Sequence, residues 1–162
     1  MRVLMLSWEY PPNIVGGLAR SLAGLCPAIA KNDVEVHIVT AASNGLPAYE
    51  EQDRLHIHRV EANFIDALDF SHWVHQLNFA ALQAAIPLLN KGKFHIIHVH
   101  DWLNCMAGKV LKHAYKIPLV ATIHATEFGR RGGISEPLSR YIHAQEWLLG
   151  YEAWQVIVCS ET

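Results

Sequence analysis

Five short runs in this chain, residues 3–6, 34–39, 96–99, 119–123 and 156–158, are rich in β-branched residues and apolar on both faces. A strand without a solvated face must be covered on two sides, which is how parallel sheets flanked by helices are built. Between the runs, apolar residues recur at spacings of three and four: Leu18, Leu22, Leu25 and Ile29; Phe70, Trp73, Leu77, Ala81, Ala84 and Leu88; Met106, Val110 and Leu111; Leu138, Tyr141, Ile142 and Leu148. This alternation predicts one doubly wound, Rossmann-like α/β domain, a parallel sheet with helices on both faces and its strand order centred on the first run. Residues 55–60 alternate with a period of two and read as a half-exposed edge strand or hairpin. Pro27 and Pro87 fall inside helical patterns and predict a kink or local break in each. With 162 residues, 51% of them hydrophobic, the chain can fill one core and not two.

Polar residues gather where the strands end. Ser7 to Ala19 reads as a long loop leading into a helix that starts at Gly16 and Gly17. The unpaired N–H groups of a first helical turn and the positive end of its dipole favour an anion, and two glycines let a diphosphate approach the backbone. The run at 96–99 leads into His100, Asp101 and Trp102, and the run at 119–123 into His124, Glu127 and Arg130. Ligands of doubly wound sheets bind outside the carboxyl ends of the strands. His124 and Asp101 are therefore expected beside the start of the Gly17 helix, although more than eighty residues separate Gly17 from Asp101.

Other chemistries fit less well. A nicotinamide-binding turn would read G-x-G-x-x-G and be followed by an acidic residue at the end of the second strand, where this chain has Val39-Thr40-Ala41-Ala42. His98, His100 and His124 form an alternative reading as a metal-dependent hydrolase, since residues two apart on a strand point the same way. No further His/Asp run completes that site, and no metal is expected. A net charge of −2 leaves no basic footprint for nucleic acid. Cys26, Cys105 and Cys159, widely spaced among apolar neighbours, suit buried thiols of a reducing compartment. No run of about eighteen apolar residues marks a transmembrane segment, and a cytoplasmic protein is expected. Residues 156–159 read as a strand and Ser160, Glu161 and Thr162 as the cap of a helix that does not follow, as in a fragment of a longer protein.

Three stretches, MRVLMLSWEYPPNIVGGLAR, HVHDW followed by Ala107-Gly108, and IHATEFGR, together resemble the N-terminal half of retaining GT-B glycosyltransferases. That group has two Rossmann domains and contains the bacterial glycogen and starch synthases. The resemblance spans nearly the whole chain and implies that residues 1–162 form the acceptor-side domain. A C-terminal domain of the same enzyme, absent here, would hold most of a nucleotide-sugar donor of the ADP- or UDP-glucose type. It implies no cofactor, a carbohydrate acceptor and catalysis in the cleft between the domains.

Carried over residue by residue, the backbone of Gly16 and Gly17 would face the donor diphosphate. His124 would contact the transferred sugar, and Asp101 would border the reacting centre and orient acceptor hydroxyls. Tyr10 and Trp102 are candidate sugar-stacking rings, with packed core residues as the other reading; Glu9, Glu127 and Arg130 are candidate acceptor contacts, with solvated loop residues as the alternative. The synthases that use ADP-glucose typically show K-T-G-G-L-A-D, whereas this chain has Ile14-Val15-Gly16-Gly17-Leu18-Ala19-Arg20, so neither polymer synthesis nor the donor base follows. The C-terminal E-x7-E element is also missing, and the chain alone should not turn over. A stand-alone sugar- or phosphate-binding module is the alternative from outside enzymology.

Overall fold

The computed structural model describes residues 1–159, so the cap expected at Ser160, Glu161 and Thr162 lies outside the described residues. Its strands are β1 (Arg2–Leu6), β2 (Glu35–Ala41), β3 (Tyr49–Gln52), β4 (Leu55–Val60), β5 (Ile96–His100), β6 (Leu119–Ile123) and β7 (Gln155–Val158). The helices are α1 (Gly17–Ala30), α2 (Phe70–Lys91), α3 (Cys105–Tyr115), α4 (Glu127–Arg131) and α5 (Pro137–Glu152). One sheet runs β3-β4-β2-β1-β5-β6-β7. Every pairing is parallel except that of β3 with β4. β1 lies at the centre, as the apolar pattern predicts.

Alternate residues of β1 feed two cores. Leu4 and Leu6 join Val39, Ile97, Val99, Leu119 and Ala121 beneath α2, α3 and the Leu149 end of α5. Val3 and Met5 join Val36, Ile38, Leu55 and Ile57 beneath Leu18, Leu22 and Cys26 of α1. Helices thus lie on both faces, but unequally. Over β5 to β7 the α1 face is an open apolar groove of about 730 Å³, bordered by Leu25, Ile29, Ile96, Val120 and Ile157.

Of the expectations, the hairpin at 55–60 holds and two others need correction. The half-exposed run at 55–60 is indeed one arm of a hairpin, but the edge belongs to β3, because β4 pairs with β2 on its other side. Neither proline breaks its helix: α1 continues through Pro27 and α2 through Pro87, each forgoing the one N–H bond to the carbonyl four residues before it. The run at 156–158 is not covered on two sides. β7 is an edge strand, adjoined among the described residues only by β6, and Val156, Ile157 and Val158 are all exposed.

Gly108 explains how α3 sits on the sheet. A Cβ there would lie 2.5 Å from Cγ2 of Val99 and 3.2 Å from Cδ1 of Leu119, so the helix approaches β5 and β6 more closely than an alanine allows. Asn78, buried on α2, fixes the entry to α3: its Nδ2 donates to the Leu103 carbonyl at 2.7 Å and its Oδ1 accepts from the Ala107 N–H at 2.8 Å. Gly108→Ala should destabilise the fold by about 1–3 kcal/mol through overpacking. Chemical denaturation measures this, and a variant as stable as the parent would show that α3 can withdraw at no cost.

Candidate functional site

The loops that follow β1, β5 and β6 meet in a crevice of about 730 Å³, lined among others by Gly16, Gly17, Asp101, Trp102, His124 and Arg130. Sheet register explains the convergence. Leu6 pairs with Val39 and Val99, and His100 with Thr122, so all three strands end at one level.

At the end of β1 the chain turns through Ser7, whose hydroxyl donates to the Glu9 carbonyl at 2.8 Å. The Glu9 side chain is buried, not solvated. Its Oε2 accepts from the N–H groups of Val15 and Gly16 at 2.6 and 3.1 Å, and its Oε1 from Ala19 at 3.2 Å. A carboxylate from the preceding loop thus caps α1, where the helix dipole favours negative charge. Among the described residues the N–H groups of Gly17 and Leu18 remain uncommitted. A Cβ built on Gly17 meets nothing within 4 Å, so packing does not demand a glycine there. The open space belongs to the crevice.

Asp101 ends β5 with φ 58° and ψ 177°, a region in which residues with a Cβ are strained. Its Oδ1 accepts from the backbone N–H of His124 at 2.7 Å, and its own N–H donates to the Thr122 carbonyl at 2.9 Å. The two strand ends are thereby tied together. Burial pushes the Asp101 carboxyl above its ordinary value, against the pull of the His124 N–H and ring and of Arg130. Nε2 of His124 lies 3.2 Å from Nδ1 of His100. Its Nδ1 lies 3.4 Å from Sγ of Cys159, which is exposed and not buried like Cys26 and Cys105. Beneath, His98 pairs with the Thr122 hydroxyl at 2.7 Å. Burial holds His98 down at about 4 and His100 well below the usual histidine range. Both are neutral at pH 7; His98 is paired with Thr122 and His100 with His124, while Nε2 of His100 is buried with no partner among the described residues.

Glu127 is likewise buried rather than solvated. Its carboxylate faces Arg131 at 2.8 Å and Arg130 at 3.4 Å. Glu146 of α5 accepts from the Glu127 N–H at 2.7 Å and approaches Arg130 at 3.4 Å; its burial raises its pKa. Arg130 is thus held at the crevice wall by two carboxylates and the Ala125 carbonyl. Trp102 lines the crevice edge-on to Phe70 and Tyr141. Tyr10 does not line it. The ring is packed beside Met5, Leu18 and Ile57, and burial pushes its hydroxyl up to about 12, so it is a core residue rather than a sugar platform.

A sequence model described as Glycosyltransferase Family 4 matches residues 15–162. The chain belongs to glycosyltransferase family 4. It is 37% identical to an uncharacterized glycosyltransferase of Methanocaldococcus jannaschii, over all of this chain and 40% of that protein. It is 33% identical to a glycogen synthase of Mycobacterium tuberculosis, over 99% of this chain and 42% of that protein. The family 4 chain therefore spans about 40% of the length of these relatives. Its fold matches 42% of the sucrose-phosphate synthase of Thermosynechococcus elongatus with a TM-score of 0.82 at 18% identity, over 98% of this chain. It also matches, at a TM-score of 0.62 and 19% identity, 34% of the catalytic domain of Arabidopsis thaliana starch synthase IV, a structure bound to ADP and acarbose; that match covers 78% of this chain. The architecture is that of one Rossmann-like domain of GT-B enzymes. Among the described residues no helix is long and apolar enough to cross a membrane.

Glu146 and Asn78 are the site-building residues that sequence reasoning missed in this family 4 domain. Neither lies in a recognisable motif; each acts across an interface between helices.

The buried histidines give stability a defined pH dependence. In the unfolded chain a histidine titrates near 6.5, whereas folded His98 stays neutral down to about 4. Between those values the unfolded state binds more protons, so stability should fall as pH drops from 6.5 toward 4. Each such histidine contributes a slope of up to about 1.4 kcal/mol per pH unit. His100 acts in the same sense; Asp101, with its raised pKa, opposes it from the acid side. Denaturant titrations at a series of pH values measure the slope, and His98→Gln should flatten it; a slope unchanged in that variant would remove His98 from the account.

Proposed function

We propose that this chain is the acceptor-side half of a retaining glycosyltransferase that moves a sugar, glucose in the first instance, from a nucleotide-sugar donor to a carbohydrate acceptor. A second domain beyond residues 1–162 supplies most of the donor contacts, and the crevice described above is one wall of the active site. The observation that carries this reading is the meeting of Gly16, Gly17, Asp101 and His124, from three separate strand ends, in one crevice.

Each group has a role that its chemistry supports. As the glycosidic bond to the donor breaks, charge accumulates on the departing diphosphate, and the Gly17 and Leu18 N–H groups at the start of α1 stabilise it. The anomeric carbon becomes electron-poor at the same moment. His124, through its ring or its main-chain carbonyl, steadies the sugar there. Asp101 holds the His124 backbone in place and orients acceptor hydroxyls. Trp102 and Arg130 border the acceptor. None of these steps calls on a metal or an organic cofactor.

Two measurements test the assignment in the full-length protein. His124→Ala should lower kcat by about 10²-fold or more with little change in the donor KM, because a contact that strengthens as charge develops acts in the transition state; an undiminished kcat would overturn it. Gly17→Ala should leave the melting temperature unchanged or slightly raised, since alanine is the better helix former and the Cβ meets nothing, yet weaken nucleotide-sugar binding. Unchanged donor affinity in that variant would remove α1 from the diphosphate site. Residues 1–162 alone should transfer no sugar from UDP-, ADP- or GDP-glucose.

A further inference from the structure

A second group of ligating side chains lies at the other end of the sheet. Glu35 and His37 are two residues apart on β2, so both project from the same face, and His56 of β4 is the register partner of His37. One ligand atom from each of the three lies within 4.8 Å of the other two. Nε2 of His37 is 2.9 Å and Nε2 of His56 is 3.9 Å from Oε1 of Glu35. A tetrahedral ion with bonds of about 2.0–2.1 Å holds its ligand atoms about 3.3 Å apart, between the two observed separations. We propose that Glu35, His37 and His56 form a binding site for a divalent ion of the zinc class, with water as the fourth ligand.

The surroundings support this assignment. A metal-bound histidine offers one ring nitrogen to the ion while the other is held by a hydrogen bond. Both histidines already have that second partner: Nδ1 of His37 lies 3.1 Å from Nε2 of His58, and Nδ1 of His56 lies 2.9 Å from the Tyr49 hydroxyl. Without an ion, His37 donates from Nε2 to Glu35 and accepts at Nδ1 from His58. With an ion, His37 and His58 each move their proton to Nδ1 and the His37 Nε2 lone pair is freed, at no change in charge.

The carboxylate is shared rather than lost. Arg2 approaches both oxygens of Glu35 at 2.8 and 2.9 Å and can keep Oε2 while Oε1 turns to the ion. One rearrangement is required. The rings of His37 and His56 are stacked with centroids 4.3 Å apart and planes at 11°, and an ion lies in both ring planes only after one ring rotates. His56 is the more exposed of the two, and the Tyr49 hydroxyl bonded to its Nδ1 has to move with it. Because Glu35, His37 and His56 sit toward the amino ends of parallel strands, the ion lies away from the crevice. It would staple β4, and through Tyr49 the β3 edge, onto β2. The donor set of two imidazoles and one carboxylate selects zinc over magnesium or calcium.

The test uses untagged protein stripped with chelator, with Zn²⁺ alone as the probe. Calorimetry should give one ion per chain, and Zn²⁺ should raise the melting temperature. Glu35→Gln and His56→Gln should each weaken binding at least about tenfold and abolish the thermal shift, with circular dichroism confirming the fold. His124→Ala should bind as the parent does. X-ray absorption at the zinc edge should show only nitrogen and oxygen at about 2.0–2.1 Å. The proposal fails if the parent shows no saturable one-to-one binding. It fails equally if binding survives both substitutions on β2 and β4, or if sulfur at about 2.3 Å appears in the spectrum, which would move the ion to Cys159 and His124.

Discussion

Parallel pairing of β1 with β2 on one side and β5 on the other sets the position of everything else. Parallel strands need crossover connections, and the right-handed ones place each helix on the face that its strand leaves. With β1 central, the α1 crossover runs one way to β2 and the later crossovers run the other way to β5 and β6. The loops leaving β1 and β5 therefore diverge over opposite faces and leave a gap between them, the switch point at which doubly wound sheets take their ligands. Glycine-led helix and HD turn face each other because of this topology. The more than eighty residues between Gly17 and Asp101 have no bearing on the distance.

What keeps that gap in shape is a set of buried side chains that hydrogen-bond to the backbone of neighbouring elements. Glu9 caps α1, Asp101 accepts from the His124 backbone, Asn78 ties α2 to the start of α3, and Glu146 accepts from the Glu127 backbone. Each such group would be costly to bury without its partner, so the geometry of one strand end is coupled to the next. A crevice built in this way is organised before any ligand arrives, and binding energy is not consumed in ordering its loops.

Sequence reading recovered the parts of this molecule that rest on local periodicity. The alternation of doubly apolar strands and amphipathic helices, the central first strand and the hairpin arm at 55–60 all follow from side-chain direction along a strand or helix. Strand-end positions likewise brought Gly17, Asp101 and His124 together. The misses share a different origin. Val156, Ile157 and Val158 have the composition of a covered strand, but coverage depends on neighbours that composition does not encode. Glu9 and Glu127 read as solvated loop carboxylates because nothing local reveals that backbone N–H groups and arginines wait to receive them. Tyr10 stands beside a glycine loop in sequence and inside the core in space. Glu35, His37 and His56 carry no motif, since two strands and a register decide their meeting.

Asp101 sits in a backbone conformation that suits glycine, and holding it there costs of order 1–3 kcal/mol. The β5 turn thus stores free energy that the surrounding packing must supply. Glycine at this position would relax the main chain while removing the carboxylate that orients His124. Stability and site geometry are set against each other at a single residue, and selection for thermal robustness alone would pull position 101 away from aspartate.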